Sequence, residues 1–456
     1  MKLDDEKLWE ASVDVLRGND GGGWTKAAPD LYPHQWSWDS AFIAIGWAHI
    51  DPLRALGELE RLFARQWATG KVPHIVFDES VPDDSYFPDW AYWDSAMSPD
   101  APAGAPHTSG LCQPPVHALA LLRIWQLAQR SCEGGRLSEV RDRARALLPR
   151  VLAWHHYLAT ARDPEGSGLV TIYHPWESGA DNSPRWDRAL ANVEVGTLPS
   201  FRRRDTEHVR DASQRPTDRD YERYIWLVEV LKACRYDEAE IQRRHPFLVK
   251  DVFFSAVLVC ANVALLELAE ALGADDLSPA VEGWVAAGRR GVAGQWDDEL
   301  GLCVDYDVLT GHPVRLRTFA GFASLLAGDL GAEREARALA ELGSGHFTGN
   351  PRLRWKVLPS TSPDEPGFQP RTYWRGPTWP IIDWLIWRAL RVGGHHELAE
   401  SLRREGLAQV GGSPLPEYFE PFTGEPLGSP RQSWTAAVTL DWLSFAVGAA
   451  APGTRG

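Results

Sequence analysis

The chain has none of the short signatures that announce a metal, a nucleotide or an activated serine. It contains no glycine-rich phosphate loop, no G-x-S-x-G and no H-E-x-x-H. Two histidine pairs, His155-His156 and His395-His396, are adjacent, so a helix sends the members to different faces; no metal site and no cofactor are expected. Cysteine is scarce. The five thiols (Cys112, Cys132, Cys234, Cys260 and Cys303) are widely spaced, odd in number and free of any C-x-x-C. That argues against a disulfide framework and for reduced thiols in a cytoplasmic protein. Positive charge is also short. A net charge of -15 argues against nucleic acid as a partner, because phosphate binding needs a basic surface. The opening MKLDDEKLWEASVDVL is acidic and amphipathic rather than leader-like, and no apolar run of about 18 residues stands out, so no membrane association is expected.

Tryptophan, in contrast, is abundant: 22 against 15 Phe and 11 Tyr. Several Trp stand beside Asp, Arg, Gln or Pro in loop-like contexts, where a flat ring serves as a wall for a ligand. Helical periodicity dominates the rest of the 456 residues. It predicts helices near 4–17, 38–50, 52–68, 114–131, 138–162, 218–236, 248–272, 279–290, 317–328, 331–342, 377–392, 395–410 and 432–447. Strands are few: Leu169 to Tyr173, and a hairpin of Gly301–Tyr306 with Pro313–Leu316 around Thr310-Gly311. Segments 114–131, 248–272 and 377–392 are apolar nearly all round, whereas 52–68, 138–150, 331–342 and 395–410 carry charge on one face. Inner and outer helices alternating along the chain imply an all-α toroid of paired helices. Residues 70–112 and 174–217 fit no helix, and loops of that length tend to be functional lids.

Two Pro- and Gly-punctuated segments carry the chemistry. In HPWESGADNSP (174–184), Asp181 and Glu177 compete as a proton donor; in PEYFEPFTGE (416–425), Glu417 and Glu420 compete as a second carboxylate. A separated pair of carboxylates among aromatic rings is what glycoside hydrolysis requires. Tyr32-Pro-His-Gln-Trp-Ser-Trp-Asp-Ser adds Asp39, either a helix N-cap or a ligand for sugar hydroxyls, with Trp36 and Trp38 stacking on sugar faces. Gln113 and the cluster Tyr373-Trp374-Arg375 stand before helices in the same manner.

The ordered set Q-W-x-W-D-S, Q-P-P, G-x-D-N-S-P, Y-W-R-G-P-x-W-P, E-Y-F-x-P-x-T-G and S-W-T-A-A resembles the bacterial mannosylglycerate and glucosylglycerate hydrolases, within the processing α-glucosidase I group of inverting glycosidases. The resemblance covers about Tyr32 to Trp442. It implies an (α/α)6 barrel as a single domain over 1–456, capped by short strands and by insertions at about 70–112 and 185–217. It also implies Asp181 as general acid and Glu417 as general base, with Glu420 standing where relatives more often have Asp or Asn. Asp39 would orient the sugar or the water. Trp38, Gln113, Trp176, Tyr373, Trp374, Trp379 and Gln432 would line the sugar site. The aglycone implied is glycerate, an anion. Arg215, Arg375 and Arg431 are the candidates to bind it, Arg215 foremost, with Tyr32 and Tyr86 as hydroxyl donors. The expected partner is thus a small-molecule glycoside, with room for a homo-oligomer. An α-glucosidase acting on neutral oligosaccharides, a His-dependent epimerase or isomerase, and a non-catalytic carbohydrate-binding protein are the competing readings.

Overall fold

The computed structural model describes residues 3–29, 31–82, 85–206 and 211–448. The expected insertions therefore include residues 83–84 and 207–210, which lie outside the described residues. Along the chain an outer helix is followed each time by an inner one: α1 (Leu3–Gly18) by α2 (Ser37–Ala48), α3 (Pro52–Phe63) by α4 (His117–Ser131), α5 (Gly134–Thr160) by α6 (Val252–Leu272), α7 (Ser278–Gly294) by α8 (Ala323–Ala327), α9 (Ala332–Leu342) by α10 (Pro380–Val392), and α11 (His396–Val410) by α12 (Ser433–Gly448). The inner helices touch in the order α2, α4, α6, α8, α10, α12, and α12 packs back on α2. This is an (α/α)6 toroid.

Sequence decides which helix goes where. Every residue of α2 is buried, as its apolar stretch AFIAIGWA requires. In α3, Ala55, Leu56, Leu59, Leu62 and Phe63 form one buried stripe, while Arg54, Glu60 and Arg61 face outward. The sequence does contain one helix long and apolar enough for a membrane, contrary to expectation: Val252–Leu272, with a mean hydropathy of 2.2. Most of that helix is buried inside the ring as α6, so its apolar character is that of a core element. The ring closes at a tight seam. A Cβ on Gly46 of α2 would lie 2.6 Å from the Cβ of Ala437 on α12, so only glycine permits this approach.

All the expected long helices are present, with shifted ends. The segment expected as 317–328 opens as a tight turn at Phe319–Phe322 before α8. Short helices at Trp90–Trp93, Asp187–Ala191 and Glu238–Arg244 were not anticipated, because each is too brief to show a period. The hairpin forms as Asp305–Asp307 against His312–Val314, with Tyr306 opposite Pro313. It extends an antiparallel sheet through Val249–Lys250 to Thr171–Ile172.

The two ends of the ring differ sharply. Inner-to-outer connections are short: 49–51, 132–133, 273–277, 328–331 and 393–395. Outer-to-inner connections are long: 19–36, 64–116, 161–251, 295–322, 343–379 and 411–432. Every short strand lies in one of the long connections. The elaborated end is therefore the one at which the inner helices begin, and it is where their partial positive charge is presented.

Candidate active site

Four of these long connections send residues into a single cavity at that end. Residues 19–36 supply Tyr32 and Trp36; 64–116 supply His74, Tyr86 and Gln113; 161–251 supply Trp176, Asp181, Asp205 and Arg215; and 343–379 supply Tyr373. Trp38 and Asp39 on the first turn of α2, and Trp434 on α12, complete the floor. Arg215 is the only arginine or lysine among the described residues that line it.

Asp181 sits on a turn built to aim it. Gly179 adopts φ +71°, and a Cβ there would come 2.6 Å from the Trp38 ring, so glycine is required twice over. The backbone around it is pinned. Trp186 Nε1 donates to Ala180 O at 2.8 Å, and Tyr224 Oη to Asp181 O at 2.9 Å. Burial, reinforced by the Glu417 charge and opposed by Arg215, pushes the Asp181 carboxyl up to about 7. Glu177, its competitor, is excluded by geometry. It is fully buried in a two-pronged pair with Arg162 at 2.7 and 2.8 Å, and it accepts from the backbone N–H groups of Tyr173 and Cys112. Burial alone would raise its pKa, but the Arg162 charge and these donors hold it at about 2. Glu177 fastens the Gln113 connection to the Trp176 connection and is not among the described residues that line this cavity.

Glu417 stands directly behind the wall rather than in it, just before the strand Tyr418–Phe419. Its Oε1 accepts from Tyr32 Oη at 2.7 Å, and its Oε2 accepts from Ser429 N at 3.1 Å. Arg215 Nη2 lies 3.7 Å from Oε2, donates to Tyr32 Oη at 3.2 Å and sits over the Tyr373 ring. Tyr373, itself at φ +41°, places its hydroxyl 3.3 Å from that of Tyr32. Glu420 turns away, accepting from Phe422 N and Thr423 Oγ1 of its own turn. Asp39 is not an N-cap: the cap position of α2 is Trp36, and Asp39 lies within the first turn, facing the cavity. Burial first, then the charges of Glu417 and Asp181, raise its pKa well above the carboxylate range.

Three residues expected in the wall, Trp374, Trp379 and Gln432, lie behind it, and two of the candidate arginines, Arg375 and Arg431, lie away from it. Trp374 and Trp379 stack at 3.7 Å, and Trp379 stacks in turn on Tyr418, forming a buttress for Tyr373. Gln432 is fully buried, with both amide atoms unpartnered. Arg375 points outward into a two-pronged pair with Asp187. Arg431 lies elsewhere, with Nη2 3.5 Å from Asp14 O. The sequence reading missed Trp434, Asp205, Tyr221 and Tyr224, which line the cavity. Tyr221 and Tyr224 are three apart on the helix Asp218–Ala233, so they share a face. That spacing was a usable signal, obscured because one helix face usually means core.

The family described as the mannosylglycerate hydrolase MGH1-like glycoside hydrolase domain matches residues 32–435. The chain is 46% identical over 438 residues to the glucosylglycerate hydrolase of Mycolicibacterium hassiacum, covering 94% of this chain and 96% of that protein. It is 40% identical over 432 residues to the mannosylglycerate hydrolase of Thermus thermophilus, covering 94% and 99%. A crystal structure of the GH63 mannosylglycerate hydrolase from Thermus thermophilus, in complex with Tris and D-glycerate, superposes with a TM-score of 0.86 at 40% identity, covering 95% of this chain and 99% of that one. A neutral trehalase of Saccharomyces cerevisiae shares the fold, with a TM-score of 0.55 at 16% identity.

Proposed function

Because the chain belongs to the mannosylglycerate hydrolase MGH1-like glycoside hydrolase family, we propose that it cleaves the α-glycosidic bond of glucosylglycerate or mannosylglycerate, releasing the hexose and D-glycerate with inversion at the anomeric carbon. The observation that carries this reading is a single aromatic cavity holding one carboxyl that keeps its proton near neutrality, Asp181, backed by a second carboxylate oriented by a tyrosine, Glu417.

Asp181 is the general acid that protonates the glycosidic oxygen. Glu417 is the general base that takes a proton from water as that water attacks the anomeric carbon from the opposite face. Inversion asks for carboxyl groups about 6.5–9.5 Å apart, wide enough to seat the water. Asp39 faces the sugar and orients its hydroxyls or the attacking water. Trp36, Trp38, Trp176, Gln113 and Tyr86 hold the hexose. Trp374, Trp379 and Gln432 serve by supporting the wall from behind. Arg215 receives the glycerate carboxylate, and Tyr32 and Tyr373 lie close enough to contribute hydroxyls. The described parts of the insertions at about 70–112 and 185–217, which bring Tyr86, Asp205 and Arg215 to the cavity, serve as the cap that limits water around it. Among the described residues that line the cavity, Arg215 is the one arginine, and a neutral oligosaccharide would have no use for it, which favours the glycerate glycosides over the neutral-substrate reading.

Hydrolysis of a panel of glucosylglycerate, mannosylglycerate and neutral α-disaccharides tests the reading, with Asp181→Ala and Glu417→Ala as controls. The expected result is turnover of a glycerate glycoside, loss in both variants, and first release of the β-hexose by NMR. Release of the α-anomer, or preference for a neutral disaccharide, overturns it.

A further inference from the structure

We infer that Arg375 is a positioning residue for proton donation by Asp181, acting through the peptide of Asn182. This rests on the assignment of Asp181 as general acid.

Arg375 stands in Y-W-R-G-P at the head of α10, where the motif suggested a hand on the substrate. The guanidinium instead turns away from the cavity and grips the loop that carries the acid. Nη1 donates to Asp187 Oδ1 at 2.8 Å and to Asn182 O at 3.2 Å, Nη2 donates to Asp187 Oδ2 at 2.6 Å, and Nε donates to Gly367 O at 3.3 Å. The residue beside it completes the grip, since Trp374 N donates to Asn182 Oδ1 at 2.9 Å. Both the backbone and the side chain of Asn182, the residue immediately after Asp181, are thus held by the start of the α10 segment. That segment also carries Tyr373, whose hydroxyl contacts Tyr32, the hydrogen-bond donor to the base. One short stretch, 373–375, therefore sets the acid's loop against the group that orients the base.

The Arg375–Asp187 pair is a poor candidate for a stability device. Asp187 is half exposed, with 54% of its side chain accessible, and pairs of that kind contribute little to folding. What the planar fork does supply is direction: it binds a carboxylate and a carbonyl at fixed angles, which lysine cannot do. Proton transfer is sensitive to such direction, and a displacement of about 1 Å can cost about a hundredfold in rate.

The test compares two leaving groups. A glycerate glycoside needs a proton on its departing oxygen, whereas the corresponding α-glycosyl fluoride departs as fluoride ion without one. The readout is the ratio of kcat on the glycoside to kcat on the fluoride. Asp181→Ala fixes the reference: it should depress this ratio strongly. Arg375→Ala should depress it by about ten- to a hundredfold with KM for the glycoside within about threefold, and Arg375→Lys should fall between, restoring charge without the fork. An equal loss on both substrates, or no loss on either, overturns the positioning role while leaving the acid assignment intact. If Asp181→Ala leaves the ratio unmoved, the acid assignment falls, and the role of Arg375 falls with it.

Discussion

Tyr32 donates its hydroxyl to Glu417 Oε1 at 2.7 Å, across a chain separation of 385 residues. Tyr32 belongs to the first long connection of the toroid and Glu417 to the last, so this hydrogen bond spans the seam at which α12 meets α2. It holds a fully buried carboxylate whose other oxygen is taken by a backbone N–H, leaving Glu417 little freedom to rotate.

Tyr32→Phe keeps the ring and removes that donor. A buried oxygen left without its partner costs about 1–3 kcal/mol, which corresponds to roughly five- to 150-fold in kcat/KM. Steady-state kinetics on the glycerate glycosides measure it, with thermal unfolding as the control for folding. Kinetics equal to those of the native chain would remove Tyr32 from the account of the base.

The acid limb has a definite sign. As the proposed general acid, Asp181 must carry its proton to donate it, and burial places its titration near 7, so kcat/KM should fall as pH rises through about 7. Stability follows the same linkage. A carboxyl whose folded pKa lies above its unfolded value of about 4 contributes stability that is complete below about 4 and is lost as pH climbs through about 7. Asp181→Asn should therefore gain thermal stability relative to the native chain as pH rises from about 5 to about 8. A constant difference in melting temperature over that range contradicts the raised value.

Glu177→Gln should fail by unfolding rather than by losing a catalytic group. It leaves Arg162 buried without its two-pronged partner, and breaking such a pair costs about 3–5 kcal/mol. Because the pKa of Glu177 is depressed to about 2, its contribution is present above about 4.3 and lost as pH falls toward 2. Urea unfolding at neutral pH and near pH 3 should show the gap between variant and native chain narrowing in acid.

Arg215→Met tests the charged aglycone. Hydrogen bonds to charged groups are worth about 1.5–3 kcal/mol, so kcat/KM for a glycerate glycoside should fall by about ten- to a hundredfold more than for a neutral α-glucoside of the same hexose. Added salt should weaken binding of the charged substrate in the native enzyme and leave the neutral one indifferent. Equal losses on the two substrates would separate Arg215 from glycerate recognition.

Much of this architecture was legible because periodicity reports burial. Helices buried on all sides, such as Val252–Leu272, and one-sided helices, such as Ala332–Leu342, alternate as a toroid demands. Asp181, Arg215 and Tyr373 could be placed in loops because proline and glycine mark them. Which face a loop residue shows is a matter of tertiary contacts, and there local sequence is silent. Arg375 and Tyr373 are two residues apart, yet one pairs with Asp187 and the other enters the cavity. Nothing near Glu177 tells it from Asp181, because the difference is made by Arg162, just past the end of α5. The depth of Glu417 behind Tyr32 was equally hidden, since it depends on the meeting of opposite ends of the chain.

The glycine at position 46, pressed against Ala437, gives the fold a kind of buckle. Until it fastens, the first and last parts of the chain are strangers, and Glu417 has neither its tyrosine nor its place. A polypeptide whose last segment has not yet docked therefore holds the proposed acid without the proposed base. Catalysis should begin at the moment the final helix docks, and assays on C-terminally shortened chains should see it vanish in one step rather than fade.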